Sequence, residues 1–168
     1  MVYLIVLLAA AVRFVPHLPN AAPLTALAIF AGANLPKKQA IAITLLARLI
    51  SDVFLGFFAW PLMLAVYACH LAGVLLGMWI SRGEGRRWLR IFSAPLFSSG
   101  LFFLVTNFAF LYGSYPHNLA GIAQAYLNGL PFFRGTLLGD FGYTISLFGI
   151  YQFFCYVRSV HRPAASLA

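Results

Sequence analysis

Apolar residues run through this chain in long blocks, separated by prolines and charged residues. The first block goes from Val2 to Val15 and ends at Pro16-His17-Leu18-Pro19-Asn20. The second covers Ala22 to Leu35 and stops at Pro36-Lys37-Lys38. Three more follow, Gln39 to Phe58, Trp60 to Ile80 and Ile91 to Tyr112. After a polar, turn-rich stretch, a sixth runs from Phe132 to Val157. A helix needs about 20 residues to cross the hydrocarbon core of a bilayer. The pattern therefore predicts six membrane helices at 2–15, 22–35, 39–58, 60–80, 91–112 and 132–157. The first two are short, so they are expected to tilt, thin the bilayer or pack as broken helices around a cavity.

Composition agrees with this reading. Hydrophobic residues make up 62% of the 168 and charged residues only 8%, with a mean hydropathy of +0.90. Soluble domains carry roughly 25% charged residues. The isoelectric point near 10.0 invites a nucleic-acid reading, which fails because the basic residues sit at the ends of apolar blocks and act there as topology signals. No linker, repeat or low-complexity tract divides the chain, so residues 1–168 are expected to form one transmembrane domain.

Lysine and arginine set the orientation. Lys37 and Lys38 fall in one loop, Arg82, Arg86, Arg87 and Arg90 in another, and Arg158 and Arg162 beyond the last block. Six helices place all three clusters on one side, which the positive-inside rule makes cytoplasmic, together with both termini. Met1 to Ala11 ends in three alanines and could pass for a cleaved signal peptide, but a basic leading region is missing and Arg13 follows directly. Cys69 and Cys155 fall at different depths, so a disulfide between them is not expected.

Polar groups inside lipid are costly and therefore informative. The third block holds Arg48 and Asp52, the fourth Cys69 beside His70, the fifth Asn107 and the sixth Asp140. Counted from the outer helix ends, Asp52 lies six residues from Phe58, Asn107 six from Gly113, Asp140 nine from Pro131 and Cys69 nine from Trp60. At about 1.5 Å per residue, all four fall roughly 9–14 Å below the outer surface. A pocket open to the outside would need such a layer. Arg48 and Asp52, at i and i+4, can equally pair along one face and neutralise each other, and Asn107 can be an interhelical hydrogen bond. Cys69 is either a small buried hydrophobe or a soft ligand to a metal carried inside a cofactor. No motif for a protein-held metal is present.

Small residues recur as Ala22, Ala26, Ala28 and Gly32 in the second block and Gly73 and Gly77 in the fourth. They suit close helix packing, either within the monomer or against a partner. The stretch from Gly113 to Pro131 carries Tyr115, His117 and Tyr126, and its middle, Leu119 to Leu127, can form an amphipathic helix at the interface. It would serve as an interfacial belt or as a lid.

The stretch Pro19-Asn20-Ala21-Ala22-Pro23-Leu24-Thr25-Ala26-Leu27-Ala28-Ile29-Phe30-Ala31-Gly32-Ala33 resembles a motif of a bacterial family of small membrane proteins, similar to the S-components of energy-coupling-factor (ECF) vitamin importers. Ile50 to Gly56, Thr106-Asn107-Phe108 and Pro131 to Asp140 fit the same pattern. The resemblance implies an all-α, six-transmembrane-helix bundle of S-component type. It also implies an outward pocket and capture of a vitamin-like small-molecule substrate, rather than enzymatic activity. Cobalamin is the leading ligand, with Cys69 binding its cobalt. The ligand-binding set expected on this basis is Cys69, His70, Asp52, Asn107, Asp140, Asn20, Tyr115 and His117. Partners would be the lipid bilayer and an ECF energising module, a membrane subunit with its ATPases. Ala9 to Ala11 do not supply the Ala-x-x-x-Ala docking motif of such proteins, which leaves room for unassisted transport. The competing readings are an intramembrane enzyme acting on lipid, with Cys69 near Asp52 or His117, and a membrane scaffold.

Overall fold

Prolines and glycines set the helix ends. The computed structural model describes residues 1–15, 21–82 and 85–160, so Asn20 lies outside the described residues. Within them the chain is all helical: α1 (Val2–Val12), α2 (Leu24–Asn34), α3 (Lys37–Leu55), α4 (Trp60–Ser81), α5 (Arg87–Thr106), a 3-10 turn (Ala109–Leu111) and α6 (Leu119–Val160). Pro23 and Pro36 occupy the N-caps of α2 and α3, and Pro61 falls in the first turn of α4. There a missing N–H costs nothing. Gly56, at φ 99°, closes α3 in a conformation that side chains resist.

Contacts between helices fix their directions. Tyr3 donates to Gln39 at 2.7 Å, Arg13 to Ser51 at 3.2 Å, and Phe14 meets Phe54 edge-on, so α1 and α3 run parallel. α2 and α4 run parallel to each other, since Gly73 faces Thr25 and Ala28 while Gly77 faces Ile29 and Ala33. Arg90 donates to the Trp79 carbonyl and Phe102 lies against His70, which makes α5 antiparallel to α4. α6 returns antiparallel to α5, with Phe103 against Phe133 and Ser99 donating to Asp140. The helices thus alternate in direction. The α2–α3 and α4–α5 junctions and the end of α6 share one end of the bundle, and with them Lys37, Lys38, Arg82, Arg86, Arg87, Arg90 and Arg158.

α2 is the centre. Residues Ala26 to Ala31 are fully buried, as a helix apolar all round must be. Gly32 lies on the backbone of Val74 and Gly77 on the carbonyl of Ile29. The small-residue stripes of α2 and α4 are therefore used up against each other inside the monomer. Phe30 extends the core to α6 through edge contacts with Phe148 and Tyr151.

Two helices, α4 and α5, are long and apolar enough by themselves to cross a membrane. α1 and α2 have 11 residues each, about 16 Å, against about 30 Å of hydrocarbon. The blocks 2–15 and 22–35 are thus half-length helices. Helices α1 and α3 to α6 turn large apolar side chains outward, among them Leu7, Phe54, Leu64, Phe97 and Phe153, a far larger exposed apolar surface than soluble monomers carry.

Two boundaries differ from the sequence pattern. The fifth block ends at Thr106, not Tyr112, because the Asn107 side chain donates to the Phe103 carbonyl and stops the helix. Leu119–Leu127 and the sixth block form one 42-residue helix running through Pro131. Proline's fixed φ fits a helix, and the break costs a single backbone hydrogen bond.

Candidate functional site

Where α1 and α2 stop short, the bundle encloses a cavity of about 600 Å³. It sits toward the end opposite the basic clusters, as its lining requires: Arg13 at the close of α1, Leu24 and Thr25 at the start of α2, and Thr106 and Asn107 at the close of α5. Arg48 and Phe58 come from the α3 side, Val66 and His70 from α4, and Asn128, Phe132, Thr136 and Asp140 from α6. Tyr112 and Tyr115, in the connection between α5 and α6, complete the wall.

The cation wall is built on one carboxylate. Arg48 holds Asp52 by two parallel bonds, Nη2 to Oδ1 at 2.7 Å and Nε to Oδ2 at 2.9 Å. Such a fork is the strongest arrangement open to the pair. The Tyr67 hydroxyl donates to Oδ2 at 2.9 Å, and the guanidinium lies over the Phe58 and Tyr67 rings. Asp52 is 2% exposed and stands behind Arg48, outside the cavity lining. Asp52, expected at a ligand, stands off the cavity and its partner Arg48 lines it, because i and i+4 neighbours satisfy each other first.

His70 does face the cavity. Its Nδ1 lies 2.7 Å from the Val66 carbonyl. A carbonyl only accepts, so Nδ1 carries the proton and Nε2 is the ring's acceptor. Cys69, one residue back, is buried but absent from the lining, since adjacent helical residues point about 100° apart. Both cysteines are free thiols.

On the opposite wall, Asp140 is 2% exposed and accepts a hydrogen bond from Ser99 at 2.7 Å. Asn107 lines the cavity with its amide pressed against Gly129, a contact that no side chain at 129 would permit. Asn128 donates to the Tyr115 hydroxyl at 3.2 Å. The Tyr112 hydroxyl donates to the Thr106 carbonyl at 2.6 Å. Burial and the neighbouring Tyr115 push the Tyr112 phenol above its ordinary value, so it stays a neutral donor at physiological pH. His117 lies outside the lining, exposed and stacked on Phe110 with centroids 4.6 Å apart.

Of the expected set, then, His70, Asn107, Asp140 and Tyr115 share one cavity, while Asp52, Cys69 and His117 stand off it. Sequence reasoning missed Arg13, Thr25, Thr136 and the aromatic wall of Phe102, Phe103 and Phe132. Arg13 was findable, as a charge closing an apolar block. The phenylalanines carried no signal, because those exposed on the outside of the bundle look the same in sequence. Among the described residues no three His, Cys, Asp or Glu side chains group closely enough to hold a metal ion.

The sequence profile of a family described as "Family of unknown function (DUF6580)" matches residues 1–164. No curated protein and no solved structure matches the chain.

Proposed function

The chain belongs to DUF6580, a family of unknown function, and we propose that it is a bacterial inner-membrane protein that captures a small molecule for uptake, in the manner of an ECF S-component. One observation carries the reading: a cavity of about 600 Å³ lined by arginine, histidine, asparagine, aspartate and tyrosine sits at the end of the bundle opposite the basic clusters. With those clusters cytoplasmic, the cavity faces outward and both termini lie inside. The exposed apolar faces of α1 and α3 to α6 support embedding of the whole bundle, with α1 and α2 as half-length helices beneath the ligand. Docking of an energising module belongs to the same proposal.

The volume is that of a site for a drug-sized ligand. A corrinoid is much larger, and cobalt coordination by Cys69 would require α4 to turn that side chain toward the cavity. The enzyme reading has less support. Among the described residues no hydrogen bond joins Cys69 to Asp52, which Arg48 and Tyr67 hold, or to His117, which stacks on Phe110.

The test is thermal unfolding of the detergent-purified protein across a panel of water-soluble vitamins and their precursors, cobalamin included. One member is expected to raise the midpoint in a concentration-dependent way, reaching about 2.7 kcal/mol of stabilisation at a hundred times its Kd. Thr136→Phe, which fills the cavity from α6, is expected to abolish that response while the unliganded protein still melts cooperatively. A corrinoid spectrum that co-purifies with the wild type and is lost in Cys69→Ala would restore cobalamin as the ligand. A flat response to the whole panel would favour the scaffold reading.

A further inference from the structure

Positive charge exceeds negative on one wall of the cavity. Arg13 and Arg48 both line it, and Arg13 lies within electrostatic range of Arg48 and Asp52 alike. The chain has three acidic residues in all. Asp52 is committed to Arg48 and Tyr67 through both of its oxygens. Asp140 stands on the opposite wall, where Ser99 donates to it, and Glu84 lies outside the described residues. Among the described residues Arg48–Asp52 is the one ion pair. Arg13 therefore brings a second guanidinium to the same wall without a second carboxylate.

A basic residue at a helix C-terminus is often explained by the helix dipole. Arg13 behaves otherwise. It crosses to α3, where its Nε donates to the Ser51 hydroxyl at 3.2 Å, and this holds the guanidinium at the cavity rather than on the carbonyls of its own helix. A guanidinium held at the cavity without a carboxylate of its own attracts an oxyanion, which it can grip with two donors. Phe102 and Phe103 of α5 and Phe132 of α6 line the same cavity and offer aromatic faces against which a ring can pack.

The geometry points to a ligand class: a small aromatic or heteroaromatic molecule bearing a carboxylate or comparable oxyanion. The oxyanion sits against Arg13 and Arg48, and the ring packs against the phenylalanines. This inference rests on the capture reading above and deepens it.

The experiment uses the full chain in detergent and three matched pairs at millimolar concentration: benzoate with benzamide, nicotinate with nicotinamide, and 4-aminobenzoate with 4-aminobenzamide. At least one acid is expected to raise the unfolding midpoint while its amide does not. Arg13→Gln should weaken that acid's binding roughly ten- to hundredfold, and Arg13→Lys should keep part of it. Equal response to acid and amide would overturn the oxyanion assignment and leave capture standing. An acid response unchanged in Arg13→Gln would overturn it as well. Silence across all six compounds would remove both the ligand class and capture of such a ring. The acid-against-amide comparison in the wild type decides the matter even if Arg13→Gln fails to fold.

Discussion

Gly77→Ala is expected to melt far below the wild type, and Gly100→Ala is not. The two substitutions add the same methyl group to helices of similar length, and only the surroundings differ. At Gly77 the new Cβ would fall on the carbonyl oxygen of Ile29, with the Ala33 nitrogen and Gly32 Cα close behind. All three are backbone atoms of α2, which cannot swing aside as a side chain can. α2 is itself packed between α1, α3, α4 and α6, so the clash cannot be relieved by a simple shift of one helix. Overpacking costs about 1–3 kcal/mol where side chains can adjust, and here the upper end is expected, about 3 kcal/mol. By the scaling for soluble chains of this length that is a loss of roughly 6–12 °C. At Gly100 the Cβ meets open space, and alanine's better helix propensity favours the variant by up to about 1 kcal/mol. Because α2 places Leu24 and Thr25 in the cavity wall, Gly77→Ala should also weaken the ligand response of whatever protein remains folded. Thermal melts of both variants in one detergent decide it. A Gly77→Ala midpoint equal to that of the wild type would mean that α2 and α4 are not in backbone contact.

The reach of the sequence is clearest at these same positions. Gly32, Gly73 and Gly77 declare close packing, since only small residues let helix backbones touch, but their spacing is identical for a contact inside the monomer and for a partner surface. What separates the two is the burial of α2 on every side, a tertiary fact. The alternation of blocks and the basic clusters were legible because hydropathy and charge are local to each segment. The half-length of α1 and α2 was visible as short apolar blocks, whereas the cavity they leave was not. At the site, Arg48 and Asp52 were readable as a pair from their i, i+4 spacing. The depth estimate grouped Asn107 and Asp140, which both line the cavity, yet depth says nothing about azimuth. That is why Cys69 and His70 were both expected at the ligand, whereas the two point about 100° apart and His70 alone of the pair lines the cavity. Asn107 against Gly129 joins residues on different helices, and no local pattern encodes such a meeting.

Asp52→Leu is expected to be among the most damaging single changes to the site, and the loss should be largely recovered by removing Arg48 as well. The carboxylate accepts three hydrogen bonds, two from Arg48 and one from Tyr67. Without it the guanidinium, 8% exposed, remains between the Phe58 and Tyr67 rings with no countercharge, and the Tyr67 hydroxyl loses its acceptor. Breaking a buried pair from one side costs about 3–5 kcal/mol. Arg48 borders the cavity, where water can reach it, so the lower end is expected. Arg48→Met leaves the converse fault, a carboxylate 2% exposed held only by Tyr67. Joined with Asp52→Leu it removes both charges and refills the volume, and such replacements are often neutral. The double-mutant cycle should therefore show a coupling of about 2–3 kcal/mol. The same double variant bears on ligand choice. It deletes one positive and one negative charge, so the wall keeps the excess that Arg13 supplies. Acids should still be preferred over their amides in this variant, more weakly than in the wild type, whereas Arg13→Gln should erase the preference. Thermal melts of the four cycle members, repeated with nicotinate and nicotinamide, measure both effects together. A double variant that binds acid and amide alike would move the oxyanion site from Arg13 to Arg48, and additive single-mutant losses would show that the pair is not coupled in the folded protein.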